Sequence, residues 1–146
     1  MKLFQIEEPD GLPVDPDAAG VAIGIDIAGP LAEVAIAVGG NAVLLTDREG
    51  FSLDLAVPDA HDPGARWQTL FEGARLRAER TLGRPVTHAV VAVDQSPAPA
   101  WIDTLTEAAA AAGIDLLRVE VPSTGETPAL AAAILAEDLA PRSDVD

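Results

Sequence analysis

Cysteine is absent from this chain of 146 residues, and histidine occurs only twice. The first absence excludes disulfides, thiol nucleophiles and cysteine-ligated zinc or iron–sulfur clusters; the second leaves too few imidazoles for an ordinary zinc site. Basic residues are scarce as well. Nine Lys and Arg stand against 24 Asp and Glu, a formal charge of -15, so the molecule as a whole repels a phosphate backbone and nucleic acid is not an expected partner. A basic protein suits that field, although simple solubility accounts for the acidity equally well. Long apolar runs are missing too. Hydrophobic residues make up 49% of the chain, yet no run approaches the ~20 residues of a membrane span. Residues 1–20 lack the cationic and apolar regions of a secretion signal. The expectation is a soluble cytoplasmic protein without membrane contact, long enough to bury roughly two-thirds of its unfolded surface in one domain.

What is present falls into three parts. Residues 1–20 carry Glu7, Glu8, Asp10, Asp15 and Asp17 among Pro9, Pro13 and Pro16, which opposes helix and predicts an acidic arm. Residues 21–140 read as a single domain, and 141–146 as a tail. Within the domain, 21–27 is almost continuously apolar, like a central strand, and strands at 33–38 and 42–45 follow, joined by Gly39, Gly40 and Asn41. Residues 52–57 suggest a short edge strand. Trp67, Leu70, Phe71, Ala74, Ala78 and Leu82 recur at helical spacing over 64–82, with Gly83 as the stop. A strand at 89–93, a helix at 100–112 and a strand at 116–121 come next. A last helix is expected to start at Thr127 and Pro128 and to bury Leu130, Ala131, Ile134 and Leu135. The order β-β-β-α-β-α-β-α predicts an α/β fold: a mixed five-stranded sheet of ribonuclease-H-like topology with helices packed on it.

Candidate chemistry gathers at the strand ends. Asp26 closes the first strand, Asp94 closes the fourth, and Glu120 or Glu126 stands near the last helix. Three carboxylates at one sheet edge can hold divalent metal, either a weak magnesium site or the pair of ions of a nuclease. Residues 122–125, P-S-T-G, lack the lysine and spacing of a phosphate loop and read as a turn. His61 and His88 have no Ser/Asp arrangement around them. Trp67 falls on the apolar helix stripe, whereas Trp101, beside Pro97 and Pro99, is a candidate interface anchor. Arg77, Arg80 and Arg84 share one helix face and are candidates for docking an acidic partner or a twin subunit.

The stretch from Gly24, G-I-D-I-A-G-P, resembles the phosphate-gripping hairpin G-I-D-L-G-T-T of DnaK-type heat-shock chaperones in the actin-like ATPase superfamily. Residues 78–93, A-E-R-T-L-G-R-P-V-T-H-A-V-V-A-V, resemble the family segment A-E-x-x-L-G-x-x-V-T-x-A-V-I-T-V. The run ending A-G-I-D-L-L-R-V at 119 and E-T-P-A-L-A-A-A-I-L from Glu126 are similar to two further family segments in the same order. The resemblance implies the first lobe of such an ATPase, with ATP or ADP and magnesium as its ancestral ligands and Asp26 and Gly29 as remnants of the phosphate loop. It also implies loss. Ala28, Gly29 and Pro30 replace the rest of the hairpin, no D-x-G-G loop of a second lobe is found, and Pro122 to Gly125 stand as an insertion before Glu126.

The expectation is therefore a truncated lobe without catalysis and with no required cofactor. It would act as a protein-binding or assembly-assisting module, with a basic protein, an assembly client or a second copy of itself as partner. The alternatives are a weak nucleotide- and magnesium-binding ATPase or sensor completed by oligomerisation, and a metal-dependent nuclease using Asp26, Asp94 and Glu126.

Overall fold

Alternation of large and small side chains along two neighbouring strands decides how this molecule is layered. The computed structural model describes residues 20–38, 41–45, 56–59, 62–122 and 127–140. Strands β1 (Val21–Asp26), β2 (Glu33–Val38) and β3 (Asn41–Leu44) form an antiparallel meander; helix α1 (Gly64–Leu82) leads to β4 (Val86–Ala92), α2 (Pro99–Ala111) to β5 (Asp115–Glu120), and α3 (Pro128–Leu139) closes the order. The sheet runs β3-β2-β1-β4-β5, with β4 parallel to both β1 and β5. This is the mixed five-stranded α/β sheet of ribonuclease-H-like topology expected from the element order.

Successive strand residues point to opposite faces. On one face Ile23, Ile25, Val34, Ile36, Val86 and Val91 form the main core with Trp67, Phe71 and Ala74 of α1 and Leu105 and Ala109 of α2. On the other stand Ala22, Gly24, Ala35, Ala37, Ala92 and the larger Val90, and among the described elements α3 packs against them. A Cβ at Gly24 would sit 2.3 Å from the Ala133 nitrogen and 2.7 Å from the Ala129 oxygen. Helix backbone thus rests on strand backbone, and only glycine leaves room.

This close approach corrects the reading of α3. Its buried residues are Ala129, Ala132, Ala133 and Ala136; Leu130, Ala131 and Leu135 are half-buried, and Ile134 is 45% exposed. A leucine stripe is too thick for the gap over Gly24, so the alanine stripe faces inward and the large side chains flank it or face out. Thr127 occupies the N-cap position, but its side chain makes no capping hydrogen bond. Strand β4 also begins three residues before the expected Ala89.

The early start of β4 has a local cause. The Val86 N–H donates to Glu79 Oε2 at 2.9 Å, while Arg75 Nη1 lies 3.2 Å from Glu79 Oε1 and Arg75 Nε donates to the Ala112 carbonyl at 2.8 Å. One ion pair on α1 therefore fixes the entry of β4 and the exit of α2. Glu79→Ala leaves the N–H of Val86, itself 2% exposed, without its acceptor, and an orphaned buried donor costs about 1–3 kcal/mol. Glu79→Gln retains an acceptor. Chemical denaturation is expected to rank the alanine variant below the glutamine variant, and both below the parent.

Helix α1 ends as expected at Gly83, in the left-handed region with φ 71. The edge strand expected at 52–57 falls mostly outside the described residues; within them, Ala56 bridges Leu31, and the Val57 N–H donates to the Pro30 carbonyl at 3.0 Å. Residues 1–19 of the N-terminal arm, the tail at 141–146, Gly39, Gly40, His61 and Glu126 also lie outside. No helix among the described residues is long and apolar enough to cross a membrane.

Candidate functional site

Three neighbouring parallel strands finish together, and their carboxyl edge holds Asp26, Asp94 and Glu120 of the acids singled out in the sequence. Asp26 is level with Ala92 of β4, and Ala92 with Glu120 of β5. Backbone bonds continue one step further, from Ile27 N–H to the Ala92 carbonyl at 3.0 Å and from Val93 N–H to the Glu120 carbonyl at 2.9 Å. In open α/β sheets this edge is where ligands bind.

Asp26 ends β1 because the chain turns immediately after it. Its Oδ1 accepts the N–H of Ala28 at 2.9 Å, so the carboxylate closes its own turn, as Asp does readily. Across the hairpin Glu33 stands directly opposite Asp26, on the same side of the sheet as α3, with Cα atoms roughly 4.5–5.5 Å apart as in any opposed antiparallel pair. Two like charges in that arrangement repel each other and any further anion. Glu33 carries no site signal in the sequence by itself. Its signal is the hairpin register: once Ile25 faces Val34, Asp26 must face Glu33.

Gly29 is half-buried, and a Cβ added there would come no closer than 3.9 Å to the Leu31 oxygen. Nothing in the turn's packing requires glycine at that position. Pro30 contributes no N–H, and its carbonyl is taken by Val57.

Asp94 lies in different surroundings. It is exposed, two residues past β4, and lines an open cavity of 600 Å³ formed where the chain bends into the first turn of α2. Asp26 and Asp94 thus leave the edge on different courses, one folded into the β1–β2 turn and one at the mouth of a hollow. Glu120 is 3.7 Å from Arg118 Nη1. Among the described residues no group of three or more His, Asp or Glu side chains is placed to hold a metal ion; Glu126 lies outside them.

Trp101 shares that cavity wall. It is half-buried, and its ring meets Trp67 edge-on, with centroids 5.8 Å apart and planes at 69°. Arg77 donates to the Gly73 carbonyl at 3.2 Å and is half-buried, while Arg80 and Arg84 are exposed. His88 sits inside β4, its Nδ1 2.7 Å from Thr87 Oγ1 and its Nε2 3.7 Å from Asp115 Oδ2.

No protein-family model and no curated protein matches the chain. Among solved structures, the ethanolamine utilization protein EutJ from Carboxydothermus hydrogenoformans is similar at 16% sequence identity and a TM-score of 0.46. The similarity covers 73% of this chain, and the chain spans 39% of the length of that one.

Proposed function

We propose that this protein is a non-catalytic protein-binding module built on an actin-like ATPase lobe, its phosphate seat filled by its own carboxylate. The observation that carries this reading is the turn at Asp26. A polyphosphate needs free N–H groups, hydroxyls and positive potential. Here the Ala28 N–H is taken by Asp26, Glu33 adds a second negative charge opposite, and Ala28, Gly29 and Pro30 offer no hydroxyl.

Binding of another protein is supported by the way α3 is seated. Because alanines face the sheet, Ile134 and Leu139 are exposed beside half-buried Leu130 and Leu135, apolar area of the kind that partners cover. The net charge of -15 favours a basic partner and disfavours nucleic acid.

Titration calorimetry with ATP or ADP and magnesium is the direct test. The expected result is no saturable heat up to about 1 mM nucleotide, which corresponds to binding weaker than about 4 kcal/mol. Micromolar binding with turnover that is lost in Asp26→Ala would replace this reading with a nucleotide hydrolase. Light scattering then distinguishes a second copy of the chain from a different protein as the partner.

A further inference from the structure

The cavity between β4 and α2 belongs to no part of the nucleotide hairpin, and its lining has a definite chemistry. Asp94, Gln95, Ser96 and Thr104 give its polar lining, and Trp101 is the aromatic among its apolar residues. Among the described residues no basic side chain lines it. The indole N–H of Trp101 is buried away from solvent, without a hydrogen-bond partner among the described residues, so what its side chain can offer the cavity is apolar ring surface and not the N–H. The Thr104 hydroxyl donates to the Ala100 carbonyl at 3.1 Å, which leaves its oxygen to accept.

We infer that this cavity receives an arginine side chain from a basic segment of a partner protein. The inference rests on the protein-binding reading above and names the chemistry of the partner. A guanidinium is planar and cationic: it stacks on an indole face, pairs with a carboxylate through two parallel hydrogen bonds, and donates to hydroxyl oxygens. Asp94, Trp101 and Thr104 supply those three complements in one hollow. A volume of 600 Å³ lies within the usual range for small ligand sites, about 300–1,000 Å³, and accommodates one long side chain with its flanking backbone.

One feature opposes a cation. Helix α2 opens at this cavity, and a helix N-terminus carries roughly half a positive charge. Much of that donor set is occupied: Pro99 has no N–H, and the N–H groups of Trp101 and Ile102 both donate to the Ala98 carbonyl, at 3.0 and 3.1 Å. The full negative charge of Asp94 and the acidity of the whole molecule outweigh the remainder. An anionic ligand would have to face both.

The test is an NMR titration of the whole ¹⁵N-labelled chain with a capped Gly-Arg-Gly peptide at physiological salt, beside the citrulline and glutamate versions. The expected result is saturable shifts at Asp94, Ser96, Thr104 and the Trp101 indole with the arginine peptide alone. Asp94→Asn should weaken binding about fivefold, the upper range for an exposed ion pair. Asp138→Asn, an exposed acid on α3, should leave it unchanged. Trp101→Leu should weaken it by a similar factor, and if that variant does not fold, Asp94→Asn alone decides. Shifts spread over the acidic surface, equal weakening by Asp138→Asn, equal binding of the citrulline or glutamate peptide, or no saturable shift would each overturn the inference. A protein that captures a partner yet ignores the arginine peptide loses this inference and keeps the broader reading; one that turns over ATP loses the broader reading whatever the peptide does.

Discussion

Gly24→Ala is expected to destabilise the protein more than any other single-methyl change, by roughly 3 kcal/mol or more, the upper range for overpacking. The reason is what the new methyl meets. All three nearest atoms, at 2.3, 2.7 and 2.7 Å, are backbone atoms of Ala133, Ala129 and Ala132, and backbone cannot swing aside as a side chain does. Helix α3 must lift as a body, and a radial gap of 0.5–1 Å already forfeits about a quarter to a half of each contact energy along its alanine face. For a chain of this size the midpoint of thermal unfolding should fall by about 10 °C. Gly29→Ala is the internal comparison: its Cβ finds open space, so its effect should stay within about 0.5 kcal/mol. Equal melting temperatures for the two variants would refute the backbone contact at Gly24.

Trp67→Ala is expected to have the second large effect. Trp67 is 1% exposed at the centre of the main core, and truncating a buried tryptophan costs about 3–5 kcal/mol. The loss should fall toward the lower end, because the indole N–H of Trp67 is buried without an acceptor among the described residues and its removal relieves that penalty. Part of the cost is shared with Trp101. An edge-on aromatic pair contributes about 0.5–1.5 kcal/mol beyond burial, so a double-mutant cycle of Trp67→Leu and Trp101→Leu by urea unfolding should return a coupling of that order. Full additivity would mean that the two rings do not support each other. The variant also removes the ring that meets Trp101 of the cavity lining, so the core and the hollow over 94–104 are joined at that contact.

Much of this fold is legible in the sequence where one signal decides one element. The spacing of Trp67, Leu70, Phe71, Ala74 and Ala78 marks α1 from end to end, and Gly83 ends it by a backbone conformation glycine adopts freely. The near-continuous apolar run of β1 and the alternation in β2 place the hairpin and its strand order. The orientation of α3 was not legible, because leucine and isoleucine outweigh alanine on any hydrophobicity count. What turns the helix is thickness: Gly24 and the alanines beneath it admit only alanine. That constraint exists only once the sheet has formed. At the edge, Asp26 and Asp94 were visible as strand-end acids, but their separation was not, since it depends on a two-residue hydrogen bond in one turn and on a bend toward α2 in the other. Glu33 meets Asp26 only through the hairpin register, and the hollow over 94–104, though local in sequence, depends on how the chain bends from β4 into α2.

The outermost strand β5 pairs with β4 through a register shift at Ala89 and Val90, where Leu116 and Leu117 both fall before Arg118 takes up the ladder again. Such an irregularity interrupts the even comb of N–H and C=O groups that an incoming strand would have to match. Sheet growth on that flank is thereby discouraged, and a visitor arriving there has to hold on through side chains rather than by adding a sixth rung to the ladder.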